Sequence, residues 1–223
     1  MVDYPLEMAK ISRFSEGKML RHCKFINTEV IRGALKEHDF ILCMSGHLMN
    51  YEMLVSAPLT LKDVGMCHIY KGVPQMNPLL SRILNIRSRY GAVNIPSTSP
   101  LRPLINLEEN LRNRKSKNKG FILGSLSDMD PMWKANVAFP FLNHKLEVLT
   151  GAERIGRKMN MAFVYARVIR RRRGFYEVKF IPMHPQTEPD VDQYAYTREF
   201  VRQLDLNIRE QPEIWLQWGT PRF

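Results

Sequence analysis

Residues 27–52, NTEVIRGALKEHDFILCMSGHLMNYE, decide how the chain is read. Val30, Ile31, Ala34 and Leu35 recur at the spacing of one helical face, with Asn27 or Thr28 in the place of an N-cap. FILCMS follows almost at once, a short apolar run of the kind buried inside a sheet. Helix, tight turn and buried strand in that order are the repeating unit of an α/β protein. The strand ends at Gly46-His47, so His47 stands at a carboxyl end, where open α/β sheets gather their functional groups. The segment after it, LMNYEMLVSA, is free of Gly and Pro up to Pro58 and reads as another helix.

The same alternation continues on both sides. Strands are expected at VGMCHIY (64–70), AVNIP (92–96) and GFILGSLSD (120–128), the last placing Asp128 at a second carboxyl end. NPLLSRILNIRSRYG (77–91) is a helix with Asn77 as cap, Pro78 in the first helical position and Gly91 as terminator. LINLEENLRNRK is a further amphipathic helix. ANVAFPFLNHK, MAFVYARVIRRR and FYEVKFIPM carry the β-branched and aromatic content of strands, with GAERIGRKMN as a helix between the first two. Residues 194–210 form a last helix that Pro212 stops, and residues 1–26 read as a helical lead-in starting one helix near Ser15. The expectation is one α/β domain over 1–223, a central, mainly parallel sheet flanked by helices.

Composition narrows the function. Hydrophobic residues at 44% and charged residues at 25% allow a packed core and exclude a disordered or collagen-like chain. The 33 Lys and Arg against 22 Asp and Glu leave a net charge of +11, which favours an anionic partner: nucleic acid, acidic lipid or acidic protein. Three cysteines without CxxC spacing suggest neither a zinc knuckle nor a disulfide framework. The remaining histidines have no ligand spacing with one another, so no metal is expected. No run of 18 apolar residues marks a membrane span and no signal peptide opens the sequence.

His47 and Glu52 make the first chemical constellation. A carboxylate about one helical turn beyond a histidine can hold one ring nitrogen and leave the other to take a proton from a hydroxyl. The spacing alone is weak, because 6 histidines and 22 acids in 223 residues give roughly 0.6 chance matches. Cys43 beside the motif sits inside FILCMS and is expected to be a buried, inert thiol.

Taken in order, GHLMNYE (46–52), NPLLSRILNIRSR (77–89), FILGSLSD (121–128), GAERIGRKMN (151–160) and EFVRQLDLNIREQPEIWL (199–216) resemble the lipid A late acyltransferases, the lauroyl/myristoyl or KDO-dependent acyltransferases. The resemblance spans roughly residues 10–216. It implies a fold similar to that of the glycerolipid acyltransferases and transfer of a fatty acyl group from a thioester to a hydroxyl. It casts His47 as general base and Glu52 as its orienting partner, with Asn50 in the same block. Either Arg87 or Arg89 matches the arginine after the Asn-Pro block, and Asp128 matches the acid at a strand end, with Asp130 a near neighbour. Lys71 stands where the family usually has arginine, keeping the charge without the planar fork. The implied donor is acyl carrier protein or coenzyme A, a substrate rather than a cofactor, and the implied acceptor is a lipid A precursor or related saccharide lipid. No serine nucleophile is needed, and an arginine or the backbone amides beside Gly46 would meet the charge that develops on the carbonyl oxygen. Family members carry an amino-terminal membrane helix ahead of the part that corresponds to residue 1, so these residues are expected to sit peripherally at the cytoplasmic face of the bacterial inner membrane.

The basic tract RVIRRRRGF supplies Arg167 and Arg170 to Arg173, and no acid occurs from Arg154 to Arg173. Lipid phosphates or an acidic carrier protein are the expected counterparts, and Arg171 is taken as a substrate-binding candidate. Nucleic acid is not expected, since no RRM, KH or zinc motif accompanies the arginines. The alternative function is a basic module for anionic lipid or nucleic acid in which HxxxxE is incidental. Met44, Met49, Met53, Met66 and Met76 suit either a channel for an acyl chain or ordinary core filling. Trp215 and Trp218 suit either interfacial anchoring or packing on the sheet.

Overall fold

The computed structural model describes residues 3–72, 77–129, 137–186 and 192–219. Helices α1 (Asp3–Ile11) and α2 (Glu16–His22) lead into strand β1 (Cys23–Ile26). Ser15 caps α2, its hydroxyl accepting the Lys18 amide at 3.3 Å. Helix α3 (Thr28–Ala34) and β2 (Phe40–Ser45) follow, then a 3-10 helix at Tyr51–Ser56, α4 (Ala57–Thr60) and β3 (Gly65–Tyr70). The middle of the chain carries α5 (Pro78–Ser88), β4 (Val93–Pro96), α6 (Leu101–Arg112) and β5 (Phe121–Leu126). The rest comprises β6 (Ala138–Phe141), β7 (His144–Glu147), α7 (Gly151–Lys158), β8 (Ala162–Arg172), β9 (Phe175–Pro182) and α8 (Ala195–Glu210).

Seven strands form one sheet in the order β1-β9-β8-β2-β5-β3-β4. All neighbours are parallel except β8 and β9, so β9 and β1 run against the other five. The α/β architecture with a mainly parallel sheet is therefore the one the sequence indicates. β2 lies at the centre, paired to β5 by Phe40–Phe121 through Ser45–Leu126 and to β8 by Ile41–Ala162 through Met44–Tyr165. All six of its residues are buried, which is why it reads as a continuous apolar run rather than an alternating one. Phe40, Ile41, Leu42 and Met44 each contribute on the order of 1.5–3 kcal/mol on leaving water.

Several local expectations are corrected. The helix expected over LMNYEMLVSA is a 3-10 helix at Tyr51–Ser56 followed by the one-turn α4. Glu52 through Ser56 are buried together, so the segment has no solvent face to make it an amphipathic helix. FPFLNHK does not join the central sheet, because β6 and β7 form a separate antiparallel hairpin turning at Leu142 and Asn143, both with positive φ. CKFI, inside the expected helical lead-in, is β1, held in extended form by parallel pairing with β9 from Cys23–Tyr176 to Ile26–Lys179. Asp130 and Met76 lie outside the described residues.

Candidate active site

The carboxyl ends of β2, β3 and β5 lie side by side, and the segments leaving them carry His47, Lys71 and Asp128. Asp128 is fully buried. One of its oxygens lies 2.6 Å from His47 Nδ1, and the other accepts the His47 backbone N–H at 2.8 Å and the Trp215 indole N–H at 3.0 Å. Burial alone would drive this carboxyl toward its neutral form, but the His47 ring, its charge, the indole and the His47 amide together hold it below its ordinary value. An ionised carboxylate only accepts, so the ring proton resides on Nδ1 and leaves Nε2 as the basic nitrogen. The imidazole is 17% exposed and touches the Tyr51 ring edge-on, with centroids 5.2 Å apart.

Gly46 makes the approach possible. A Cβ there would sit 3.1 Å from an Asp128 oxygen and 2.6 Å from the Leu204 methyl, so a larger residue would push the carboxylate away from the ring. His68, on β3, packs in the same way over Gly124, where a Cβ would come within 2.9 Å of its Nδ1. Its Nε2 is sealed from solvent without a partner among the described residues, and burial with the nearby Arg87 charge pushes its pKa down to about 3.

Glu52, expected to orient His47, is engaged elsewhere. Arg87 on α5 donates from Nε to one of its oxygens at 2.9 Å and from Nη2 to the other at 2.7 Å, a bidentate pair. The Glu52 side chain is 1% exposed and that of Arg87 14%. Asp128 therefore occupies the position beside the ring that the five-residue spacing assigned to Glu52. The reason is the 3-10 path of residues 51–56, which keeps Glu52 among the buried groups facing α5. Asn50 caps that turn by accepting the Glu52 amide at 3.2 Å and donates to the buried Glu7 on α1, also at 3.2 Å. Tyr4 of α1 meets the Tyr51 hydroxyl at 2.9 Å.

The two arginines left open by the sequence separate. Arg87 reaches the GHLMNYE segment, whereas Arg89 donates to the carbonyls of Ile11, Ser12 and Phe14 at the end of α1, a structural clamp. Lys71 is exposed just beyond β3. The amides of His47, Leu48 and Met49 are bonded to Asp128, Gly46 and Ile214, so none of these three is open to a substrate oxygen.

β8 overshoots the end of β2 and carries Arg170 to Arg173 beyond the same carboxyl edge. These arginines are not a bare charge cluster. Arg171 pairs with Glu177 at 2.5 Å, Arg173 with Asp3, and Arg172 lies 3.8 Å over the Phe175 ring. Residues 113–119 precede β5 and so lie at the opposite end of the sheet from His47, roughly 20 Å along a six-residue strand. That basic stretch takes no part in the site. Cys23, Cys43 and Cys67 are buried free thiols, each pushed up to about 12 by burial.

Trp215 is the partner that sequence reasoning did not assign. Its block, PEIWL, stands out in the sequence, but nothing local reveals that its indole meets Asp128, 87 positions away.

A histidine held by a buried carboxylate at the carboxyl edge of a mainly parallel sheet places the chain among the α/β proteins that gather their functional groups at strand ends. The sequence model for bacterial lipid A biosynthesis acyltransferases matches residues 1–223, and the chain belongs to that family. It is an acyltransferase of lipid A synthesis. Comparison with curated proteins gives no match. Among the described residues no helix is long and apolar enough to cross a membrane.

Proposed function

We propose that the protein transfers a fatty acyl group from an acyl-carrier-protein thioester to a hydroxyl of a lipid A precursor, with His47 as general base. The observation that carries this reading is the 2.6 Å contact between His47 Nδ1 and Asp128, which leaves Nε2 as the accepting nitrogen. A hydroxyl is a poor nucleophile at neutral pH, so its proton passes to Nε2 as its oxygen attacks the thioester carbonyl. The new C–O bond forms, the C–S bond breaks, and the proton on the imidazolium returns to the departing thiolate. Asp128 steadies the transient imidazolium, as the aspartate does in acyl-transfer triads. No nucleophile on the protein is consumed.

Charge on the carbonyl oxygen needs a fixed donor. Because the amides of residues 47–49 are already bonded, Arg87 is the donor we assign, its Nε and Nη2 anchored on Glu52 and its Nη1 uncommitted among the described residues. Coenzyme A would serve as donor through the same thioester chemistry, and a related saccharide lipid would serve as acceptor. The excess of positive charge, with Lys71 and Arg171 at the carboxyl edge, favours the acidic carrier protein and an anionic membrane surface as partners. The working location is then the cytoplasmic face of the inner membrane, reached by surface attraction.

His47→Ala tests the assignment. The variant should keep its circular dichroism spectrum and lose turnover of acyl carrier protein with a lipid A precursor. Turnover retained in the folded variant overturns the assignment of His47 as general base.

A further inference from the structure

We propose that Trp215 is a positioning residue of the active site, its indole N–H holding one oxygen of Asp128 so that the other faces His47 Nδ1. The inference rests on the reading of His47 and Asp128 as the reactive pair. The indole nitrogen lies 3.0 Å from Asp128 Oδ2, and Trp215 is 2% exposed. Indole N–H is a donor and never an acceptor, so this contact is satisfied only by a lone pair of the carboxylate. It favours the ionised form of Asp128 and opposes rotation of the carboxyl away from the ring.

The segment that carries Trp215 is built to hold this geometry. It begins at Gln211, whose amide side chain bonds both the N–H and the carbonyl of Arg170 at 2.8 and 3.0 Å, fastening the exit of α8 to β8. Beyond it, Ile214 accepts the Met49 amide at 2.7 Å and the Leu216 amide donates to the His47 carbonyl at 2.9 Å. Leu48 and Trp215 face each other as an antiparallel bridge. The strap thus grips the backbone of His47 to Met49 while its indole grips the carboxylate. The ring is wedged edge-on between Phe141 of the β6-β7 hairpin and Trp218, at 5.4 and 4.9 Å. With the backbone pinned on one side and the ring on the other, the indole has little freedom to leave Asp128. Among the described residues, His47, after β2, and Tyr165, on β8, are further titratable groups that face this carboxylate.

Two replacements separate positioning from packing. Trp215→Phe removes the N–H and part of the ring. Benzothienylalanine at position 215 puts sulfur in place of the N–H and keeps the ring, which guards against misfolding. The measurement independent of turnover is the 13C titration of the Asp128 carboxyl in aspartate-labelled protein, together with the far-downfield proton of His47 Nδ1. With one donor lost, the Asp128 midpoint should rise and the downfield proton should broaden in both variants. Trp218→Phe, whose lost N–H bonds only the Pro212 carbonyl, should leave the midpoint in place. With lauroyl acyl carrier protein and a lipid A precursor, kcat should fall on the order of ten- to a hundredfold with KM nearly constant, by analogy with the loss when a partner orienting a metal-bound side chain is removed. An Asp128 titration that superimposes on that of the unaltered protein overturns the proposal. If the unaltered protein transfers no acyl group while the midpoint still moves, the acyl-transfer reading falls and the role of Trp215 stands.

Discussion

Asp128 lies 2.6 Å from His47 Nδ1, though 81 positions separate them in the chain. Adjacent parallel pairing of β2 and β5, in register from Phe40–Phe121 to Ser45–Leu126, brings the two strand ends together. Each residue leaves its strand within two positions of the last ladder pair. The contact is thus a property of sheet order.

Replacing Asp128 by Asn should keep a hydrogen-bonding side chain in place while removing the charge that steadies the imidazolium. The analogous change in a serine-protease triad lowers turnover by about 10⁴, and a loss of roughly 10²–10⁴ is expected here. Steady-state kinetics on folded Asp128→Asn provide the check, and an unchanged kcat would remove Asp128 from the mechanism.

The same residue links stability to pH. Its pKa is lower folded than its ordinary value of 3.8, so its contribution is complete above that value and is lost as pH falls through the folded pKa. Urea unfolding at neutral pH should show Asp128→Asn less stable than the unaltered protein. The gap should narrow below pH 3.8; a gap that stays constant into acid would mean that the carboxylate is not held in its ionised form.

Glu52→Gln should lower stability and kcat together, because Glu52 anchors the Arg87 guanidinium assigned as donor to the carbonyl oxygen. It leaves the Arg87 guanidinium, 14% exposed, without its anion, and breaking a buried pair costs about 3–5 kcal/mol. A lower melting temperature is expected, with the shape of the pH–rate profile retained, since the His47–Asp128 contact does not pass through Glu52. A profile reshaped by Glu52→Gln with no thermal loss would restore Glu52 as the partner of His47.

His68 should make the fold sensitive to mild acid. Its pKa falls from 6.5 to about 3 on folding, so the unfolded chain binds the proton first and stability declines as pH drops from 6.5 toward 3. The slope reaches at most about 1.4 kcal/mol per pH unit for a single group. His68→Leu should flatten that decline in urea titrations, and an unaltered slope would show that the ring is protonated in the folded protein.

Membrane attraction should come more from the amino-terminal helices than from the arginine tract. Lys10, Arg13, Lys18 and Arg21 are exposed along with Leu6 and Leu20, whereas Arg171 and Arg173 already face Glu177 and Asp3. Co-sedimentation with anionic vesicles at low salt should drop more on changing the first four to Gln than on changing Arg171 and Arg173, at about 1 kcal/mol per charge near the surface. High salt should erase the difference. Equal binding to neutral vesicles would point instead to an apolar anchor.

The sequence by itself determined the elements whose physics is local. FILCMS is buried on every side because it is the central parallel strand, and its unbroken apolar run says so without reference to any partner. Asn77 caps α5 through its own side chain, accepting the Leu80 amide at 3.1 Å. His47 and Asp128 at strand ends were legible for the same reason: hydrophobic runs end where the chain leaves the core.

What only the tertiary structure decided was which group faces which. Five-residue spacing made Glu52 the natural partner of His47, but spacing predicts proximity only along a regular helix, and residues 51–56 follow a tighter one in which Glu52 to Ser56 are all buried. β1 was hidden because four residues become a strand only when β9 supplies the hydrogen bonds. Trp215 could not be assigned because its partner is set by the return of the chain after α8, across the segment that holds His47. Side-chain chemistry is written in the residue, whereas its direction is fixed by backbone contacts that sequence neighbours do not make.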